Sequence, residues 1–339
     1  MKKILIIGGT GTISAPITRR LCEDPENQVY LLNRGNKKTP GHAESIIADI
    51  HDTNHLSEIM KDRSFDCVID FILYTPDDAE KRVRLFKGKT RQYIFISTNV
   101  ALNHEYVLEI NEDLPTGNKY SDYGNMKAQC EEILMRAYRE EDFPVTIVRP
   151  TQTYSEHRIP LGVKPSSYWA VVSRILRDKE VIVHGEGTGI WAGTHAEDFA
   201  RYFVPLVNHP RSIGEIYQIM NPEPYTWDML YHTLGEIYGH TTRIVHIPAE
   251  LLAYSKQYSL GQAVRGDKHY SCLFDIHKIK EISGDLPFTI SMHKGLEMYK
   301  EYMDEHPELK KEDPVFDRWC DDTIALYRKL QNEFAEEIR

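Results

Sequence analysis

The sequence predicts an α/β fold in which a doubly wound parallel sheet carries helices on both of its faces. Short and almost wholly apolar segments recur along the first 150 residues, and helix-like segments separate them. Such apolar strands are typical of parallel sheets that are buried on both sides. The first strand runs directly into a glycine-rich turn that opens a helix. The predicted strands are Lys3–Ile7, Val29–Leu32, Ser45–Ala48, Cys67–Phe71, Tyr93–Ser97 and Val145–Arg149.

The composition narrows the function classes. The chain has 339 residues and a net charge of −10, which disfavours nucleic acid as a partner because phosphate binding needs concentrated Lys and Arg. No apolar run approaches the roughly 20 residues that span a bilayer, so we expect no membrane association. The five cysteines are scattered without a CxxC pair, which indicates reduced thiols in the cytoplasm. The histidines show no metal-ligand spacing, so no metal is predicted.

The turn after the first strand predicts a binding site for the pyrophosphate of a nicotinamide dinucleotide. A strand that ends in glycines and opens a helix presents backbone N–H groups and the positive end of the helix dipole to an anion. Gly8 permits the sharp turn, and Gly11 lets the backbone approach the phosphates. Thr12 and Ile13 complete the predicted contacts. Ser14 stands at the third glycine position, where a small residue allows the helix to pack closely on the strand.

The end of the second strand bears on the choice between NAD and NADP. Sites for NAD usually carry Asp or Glu there, which binds the ribose 2′-hydroxyl. This chain has Asn33 and Arg34 instead. Arg34 can pair with a 2′-phosphate or stack on the adenine, so we expect NADP in preference to NAD. The alternative is that Asn33 suffices for NAD and that Arg34 is a solvated turn residue.

Two further pairs of residues predict catalytic chemistry. Tyr123 and Lys127 share one face of a helix that is predicted to run to about Glu141, and a neighbouring ammonium lowers the pKa of a tyrosine. Ser97 and Thr98 end the fifth strand. Ligands of open α/β sheets bind at the carboxyl ends of strands, so these hydroxyls lie where a substrate and a nicotinamide would meet.

After Pro150 prolines, aromatic residues and loops increase, and the predicted helices become isolated. We expect residues 1–150, with about 190–220, to form the dinucleotide-binding domain. Residues 151–189 and 221–339 would form a smaller and irregular substrate domain. The segments predicted here are the helices Ser167–Arg177, Ala196–Val207 and Thr226–Tyr238, the strand Ile216–Met220 and a final helix from Pro314 to Arg339.

In their order and spacing these motifs resemble those of the extended short-chain dehydrogenase/reductases, the NAD-dependent epimerase/dehydratase group. The resemblance runs from residue 3 to about 240 and implies a Rossmann fold. Matching stretches beyond those above are Asp49 after the third strand, Asp70-Phe71-Ile72, Arg149-Pro150-Thr151-x-x-Tyr154 and Thr194-His195-Ala196-Glu197-Asp198.

The resemblance implies an enzyme that transfers a hydride reversibly, on a sugar-like or other small hydroxyl or carbonyl substrate. It implies that Tyr123 transfers the proton, that Lys127 assists it and binds the nicotinamide ribose, and that Thr98 hydrogen-bonds the reacting oxygen. It also implies a homodimer formed through the helix that carries Tyr123, with a monomer as the alternative. The further cofactor contacts that it implies are Asp49, Ile50, Phe71, Ile72, Ser97 and Pro150.

Some residues depart from the family pattern. Trp191 stands where nucleotide-sugar members usually carry an arginine that contacts the substrate diphosphate, which disfavours a nucleotide-sugar substrate. Asn99 and Val100 stand where dehydratases carry an acidic pair, which disfavours a dehydratase. The cations that could replace the missing arginine are His157, Arg158, Lys164 and Arg174, each of which could equally be a surface residue.

The Gly-Gly-Thr turn and the Asn-Arg-Gly strand end are also similar to those of the chloroplast stem-loop RNA-binding proteins. A nucleic-acid-binding protein, or a dinucleotide-sensing regulator without chemistry, therefore remains an alternative on the same fold. The presence of Thr98, Tyr123 and Lys127 together favours the enzyme, and the acidic net charge disfavours nucleic acid.

Overall fold

The computed structural model describes the whole chain, Met1–Arg339. Short 3₁₀ turns span Asn99–Ala101, Val204–Leu206, Pro210–Ser212 and Pro307–Leu309, and a π-helical segment spans Gly261–Lys268. The strands, numbered in chain order, are β1 (Lys2–Ile7), β2 (Asn27–Asn33), β3 (Glu44–Ile47), β4 (Cys67–Asp70), β5 (Tyr93–Ile96), β6 (Glu109–Ile110), β7 (Val145–Pro150), β8 (Gln152–Tyr154), β9 (Val181–His184), β10 (Ile190–Trp191), β11 (Gly193–His195), β12 (Ile216–Ile219), β13 (Tyr225–Thr226), β14 (Ile244–Ile247) and β15 (Leu273–Phe274). The helices are α1 (Ser14–Glu23), α2 (Thr53–Ile59), α3 (Pro76–Phe86), α4 (Asp122–Glu141), α5 (Trp169–Leu176), α6 (Ala196–Phe203), α7 (Trp227–Ile237), α8 (Ala249–Leu252), α9 (His277–Ser283), α10 (Met292–Glu305) and α11 (Pro314–Glu337).

A seven-stranded parallel sheet forms the centre of the first half of the chain. Its strand order is β3-β2-β1-β4-β5-β7-β12. Ile7 pairs with Leu32 on one side and with Asp70 on the other, so β1, β2 and β4 end at the same edge. The chain order reverses at β1, which makes its carboxyl end the switch point where ligands bind in open α/β sheets. The doubly wound fold predicted from the sequence is confirmed.

The apolar segments are stable as strands because both faces of the sheet are buried. The residues Ile4 to Ile7 are completely buried. Leu5 and Ile7 belong to a core cluster that includes Leu56 of α2, Phe86 of α3 and Leu134 of α4. Because side chains alternate along a strand, Ile4 and Ile6 point to the opposite face of the sheet.

The chain divides into two compact units, and the first holds the central sheet. It consists of Met1–Thr153, Gly193–Pro222 and Phe274–Thr289. The sequence analysis places the last of these segments in the substrate domain, whereas here it belongs to the compact unit of the central sheet. The physical reason is that α9 packs against α6 and β12, while Asp198 accepts hydrogen bonds from the backbone and the hydroxyl of Thr289.

The second unit is mainly helical and consists of Tyr154–Ala192, Glu223–Leu273 and Ile290–Arg339. Within it β9 pairs with β14 in parallel, and β10 pairs with β13 antiparallel. Arg174 of α5, which is buried, bonds Asp317 and Asp321 of α11 at 2.6 Å each. No helix anywhere in the chain is both long enough and apolar enough to cross a membrane.

Candidate active site

The glycine turn after β1 has the conformation that the sequence predicts. Gly8 has a φ of +81°, and a Cβ there would stand 2.7 Å from Ile72 Cγ2, so only glycine fits. The Ser14 hydroxyl donates to the Gly8 carbonyl and accepts from the Gly11 N–H, both at 2.8 Å. Ser14 therefore holds the turn closed as well as allowing close packing, which the glycine pattern does not reveal.

The N-terminus of α1 leaves backbone donors available. Its N-cap residue is Ile13, and no side chain caps the helix there. The first N–H groups of a helix lack intrahelical partners, and an anion is a favourable partner for them. Thr12 and Ile13 directly precede the first residue of α1, at this uncapped helix end.

A cavity of about 410 Å³ adjoins the glycine turn. This volume is typical of small-molecule sites, which span about 300–1,000 Å³. Thr12, Ile13, Phe71, Ser97, Tyr123, Lys127 and Pro150 are predicted to bind the cofactor but do not line it. The predicted cofactor residues that do line it are Gly8, Gly11, Asn33, Arg34, Asp49, Ile50 and Ile72.

Lining residues that the sequence analysis missed include Lys37, His51 and Tyr74. Lys37 could have been predicted from the sequence, because it belongs to the basic run that follows β2. Its Nζ lies 3.5 Å from the Thr10 carbonyl of the glycine turn. Nothing in the sequence marks His51 and Tyr74 as lining residues, because they lie on loops whose positions depend on tertiary packing.

At the end of β2, Asn33 and Arg34 face this cavity. The Asn33 side-chain oxygen accepts from the Gly35 N–H at 2.7 Å, whereas its Nδ2 is buried and has no partner. A buried donor without a partner fits a polar ligand that supplies the acceptor. Arg34 and Lys37 are both exposed, and their two positive charges make this end of the cavity cationic.

Tyr123 and Lys127 lie on the first turns of α4, with their side chains on one face. Tyr123 is 38% exposed, whereas Lys127 is 2% exposed. The Lys127 ammonium donates to the carbonyls of Leu73 at 2.7 Å and Ile96 at 2.8 Å, which follow β4 and end β5. Its Nζ lies 6.0 Å from the centre of the Tyr123 ring. The structure therefore places this pair at the carboxyl edge of the sheet.

Burial changes the acidity of Lys127. Desolvation lowers its pKa to about 8, and the negative charge of Asp70 opposes that shift. The ammonium form therefore prevails at neutral pH. The charge lies 4.6 Å from the centre of the Tyr74 ring and 4.8 Å from that of Phe95, with the partly exposed Tyr123 ring next in distance.

Thr98 caps the 3₁₀ turn that follows β5. Its Oγ1 accepts from the Val100 N–H at 3.2 Å, which leaves the hydroxyl hydrogen free to donate elsewhere. The Ser97 Oγ and the Asn99 Oδ1 are buried and have no partner. Orphaned polar atoms on two residues so close in the chain fit a polar ligand bound at the end of β5.

The segment before α4 is tied to the same turn by residues that sequence reasoning missed. The Asn118 backbone N–H donates to the Asn125 side-chain oxygen at 2.8 Å, and the Asn125 side-chain amide donates to the Asn118 carbonyl at 2.7 Å. The Asn118 amide also donates to the Val100 carbonyl at 2.9 Å. A Cβ on Gly124 would stand 2.3 Å from that carbonyl oxygen. In the sequence, these residues are marked only by their position: Gly124 and Asn125 lie within the Tyr-x-x-x-Lys motif, and Asn118 lies shortly before it.

Two motif residues have structural partners. Asp70 is fully buried and accepts from Arg82, from Tyr93 and from the Ile72 N–H. Arg149 is also buried and forms two hydrogen bonds with Glu131 of α4. Neither side chain lines the cavity.

Trp191 lies in the aromatic core of the second unit. Its ring stacks on Trp227, with the centroids 6.0 Å apart and the planes at 29°. Trp191 is 1% exposed, so the place of the family's arginine holds a buried apolar ring.

Comparisons with known proteins find enzymes similar to this chain. The sequence model of the NAD dependent epimerase/dehydratase family matches residues 4–220. The chain is 23% identical over 247 residues to the dTDP-D-glucose 4,6-dehydratase of Homo sapiens, covering 64% of this chain and 69% of that protein. It is 26% identical over 167 residues to the UDP-glucose 4-epimerase of Lactobacillus helveticus, covering 43% of this chain and 50% of that protein. These relatives are enzymes and give no support to the nucleic-acid-binding alternative.

Solved structures share the fold. The epimerase Mth375 of Methanothermobacter thermautotrophicus superimposes with a TM-score of 0.73 at 15% identity, covering 91% of this chain and 94% of that one. The UDP-glucuronic acid 4-epimerase of Bacillus cereus, solved in complex with NAD, superimposes with a TM-score of 0.67 at 20% identity, covering 89% and 96%.

Proposed function

Because the chain belongs to the NAD-dependent epimerase/dehydratase family, we propose that Tyr123, Lys127 and Thr98 are the groups that carry out its hydride-transfer chemistry. The observation that supports this most directly is the position of the buried Lys127 ammonium beside the Tyr123 ring, at the carboxyl edge of the sheet. The start of α4 also contacts the turn that Thr98 caps, through Gly124 and Val100.

The residues present fit a nicotinamide dinucleotide. Gly8 leaves space that a Cβ would fill, the N-terminus of α1 has no side-chain cap, and Asn33 carries a buried donor without a partner. When bound, the nicotinamide ring supplies the carbon that accepts or donates the hydride. Ser97 would contribute its orphaned hydroxyl near that end.

The proton is held at the phenolic oxygen of Tyr123. The Lys127 ammonium stabilises the phenolate by its charge, which favours proton transfer by Tyr123. An ammonium has three N–H bonds, and Lys127 donates two of them to the Leu73 and Ile96 carbonyls. The third would be available to a ribose hydroxyl of the cofactor. The Thr98 hydroxyl hydrogen orients the reacting oxygen of the substrate.

For the cofactor we propose NADP in preference to NAD. The support is the pair Arg34 and Lys37, which follow β2 and line the cavity together with Asp49. Fluorescence titration of both reduced cofactors should give the lower dissociation constant for NADPH. Arg34→Met should weaken NADPH about tenfold, through loss of one charge-assisted contact, and leave NADH nearly unchanged. Tighter binding of NADH to the wild type would contradict the preference.

For the substrate we propose a sugar-like or other small molecule with a secondary hydroxyl or its ketone, undergoing reduction or epimerisation. The named relatives act on dTDP-glucose and UDP-glucose. Trp191 is buried against Trp227, so the place of their usual diphosphate contact holds no cation. Asn99 and Val100 follow Thr98, so no acidic pair is available for dehydration.

We also propose a homodimer formed through α3 and α4. The two helices pack against each other, and Met126 of α4 is exposed beside the motif residues. Light scattering should give twice the mass of one chain. A monomeric mass would contradict this assembly.

The test of the catalytic roles is Tyr123→Phe. Loss of the phenolic proton should lower kcat about 10²- to 10⁴-fold, while the dissociation constant of the cofactor stays the same. With a panel of sugars, nucleotide sugars and small secondary alcohols, reduction is followed by nicotinamide absorbance and epimerisation by chromatographic separation of the epimers. Tyr106→Phe is the matched control, because Tyr106 is fully exposed. Undiminished turnover by the Tyr123 variant would remove its proposed role.

A further inference from the structure

The Lys127 ammonium lies among aromatic rings as well as carbonyl oxygens. Its Nζ is 4.6 Å from the centre of the Tyr74 ring, 4.8 Å from that of Phe95 and 6.0 Å from that of Tyr123. A cation is attracted to the face of an aromatic ring, and the attraction is strongest where water is excluded. Tyr74 carries the nearest of these three rings, although it belongs to none of the motifs that mark the site in the sequence.

Tyr74 also borders the cavity that adjoins the glycine turn. Its side chain is 44% exposed and lines this cavity, which neither Tyr123 nor Lys127 lines. The centre of its ring is 6.4 Å from that of the Tyr123 ring, with the planes at 46°. Phe95, by contrast, is completely buried in the core. Tyr74 therefore connects the cavity with both members of the pair that is proposed to transfer the proton.

The backbone on both sides of Tyr74 is held in place. The carbonyl of the preceding residue, Leu73, accepts a hydrogen bond from the Lys127 ammonium at 2.7 Å. The following residue, Thr75, is the N-cap of α3, and its hydroxyl oxygen accepts from the Asp78 N–H at 3.2 Å. The ring of Tyr74 is thus kept near the ammonium by a backbone segment that is itself bonded to that ammonium.

The aromatic ring of Tyr74 contributes more to this contact than its hydroxyl does. The hydroxyl donates to the Phe71 carbonyl at 3.5 Å, which is too long for a strong hydrogen bond. Burial and the negative charge of Asp70 raise the pKa of Tyr74, so its phenol stays protonated at neutral pH. Tyr74 therefore offers a neutral ring and does not act as a second base.

We propose that Tyr74 is a positioning residue for proton transfer, whose ring holds the Lys127 ammonium at the end of the sheet and forms the adjacent wall of the cofactor cavity. This inference rests on the roles proposed for Tyr123 and Lys127. The attraction between a cation and a ring needs no directed N–H bond, so the third N–H of the ammonium stays available to a ligand. Without the ring, the desolvated ammonium would lose its proton at a lower pH.

The other groups that face Lys127 do not account for such a change. The carboxylates of Asp70 and Glu131 raise its pKa, and each is paired with a buried arginine. Burial raises the pKa of the Cys130 thiol to about 12, so this group stays neutral in the pH range of the test. The phenol of Tyr123 faces the ammonium from the same helix and is present in every variant compared. A change on replacing the ring is therefore due to the ring.

The test measures the pKa of Lys127 in the full chain by NMR, with ¹³C in the lysine side chains. The signal is assigned by its absence from Lys127→Met, and in the wild type it should titrate at about 8. In Tyr74→Met, which replaces the ring by a flexible apolar chain, the pKa should fall by about 0.5–1 pH unit. Burial also lowers the pKa of Lys164 to about 8, and this value is the internal control that should not move.

Two variants accompany this titration. Tyr74→Phe keeps the ring and should keep the wild-type pKa of Lys127. Tyr106→Met is the matched control, because Tyr106 is fully exposed, and it should leave that pKa unchanged. An unchanged pKa in Tyr74→Met would overturn the proposal. A raised pKa would overturn it as well, because the side chain would then only have kept water away from the ammonium.

A second arm measures turnover with a substrate from the panel. The ratio of kcat at about pH 8 to kcat at about pH 6.5 should fall about two- to fourfold in Tyr74→Met, because a smaller fraction of Lys127 is charged at the higher pH. An equal loss at both pH values would indicate a merely structural role and overturn the proposal. Undiminished turnover by Tyr123→Phe would instead refute the proposed function. The NMR titration, which needs no turnover, would still decide whether Tyr74 holds Lys127.

Discussion

Lys127→Met should change how the stability of this protein depends on pH. The wild-type ammonium is 2% exposed, and burial lowers its pKa from 10.5 to about 8. Between these two values the unfolded chain binds more protons than the folded chain. The free energy of unfolding therefore rises with pH across this window, as far as Lys127 contributes to it. Methionine has no proton to bind, so the variant lacks this contribution.

The magnitude follows from the shift. A pKa lowered from 10.5 to about 8 means that the charged lysine costs the folded state about 3 kcal/mol at neutral pH. By the same relation about 2 kcal/mol of this cost disappears between about pH 7 and about pH 9.5. The variant also leaves the Leu73 and Ile96 carbonyls without a donor, at about 1–3 kcal/mol each, but that loss does not depend on pH.

Urea denaturation at both pH values separates the two contributions. The stability of the wild type minus that of Lys127→Met should rise by about 2 kcal/mol from the lower to the higher pH. Groups that titrate in both proteins, including Lys164, cancel in this difference. The exposed Lys61→Met is the control and should show no such rise. A difference that stays flat with pH would refute the argument that Lys127 is desolvated and charged.

Three further substitutions test how the site is built. Gly124→Ala should lower the free energy of unfolding, measured in urea, by about 1–3 kcal/mol, because its Cβ would stand 2.3 Å from the Val100 carbonyl oxygen. A more stable variant, as expected at an open helix position, would show that this close contact does not exist. Asn125→Ala should cost about 1–3 kcal/mol, because the backbone groups of Asn118 lose their partners, and should lower kcat more than cofactor affinity. Ser14→Ala removes the two hydroxyl contacts that hold the glycine turn closed. In a fluorescence titration it should raise the dissociation constant of the reduced cofactor about fivefold, equivalent to about 1 kcal/mol. Unchanged affinity would mean that the turn closes without the Ser14 hydroxyl.

The sheet and the glycine turn could be predicted from the sequence because their signals are local. An apolar run such as Lys3–Ile7 identifies a buried strand by itself, and Gly8 follows it at once. The pairing of Tyr123 with Lys127 is also local, since it needs only a helix. Local patterns carry this information because strand and helix periodicities are short.

Other parts depend on distant segments and could not be predicted. Asn118 and Asn125 are ordinary polar residues until the loop folds back on α4. The return of Phe274–Thr289 to the first unit rests on contacts with Asp198, about 90 residues earlier in the chain, and no periodic pattern encodes such a contact.

The two buried ion pairs of the first unit explain why motif residues outside the cavity matter. Buried ion pairs add little net stability, so their value lies elsewhere. Asp70, held by Arg82, accepts the Ile72 N–H and so shapes the turn whose next carbonyl, that of Leu73, receives the Lys127 ammonium. Glu131 follows Lys127 by one helical turn, and Arg149 bonds it to β7. Each pair therefore positions Lys127 from a different side, and the carboxylates of Asp70 and Glu131 also raise its pKa against the effect of burial.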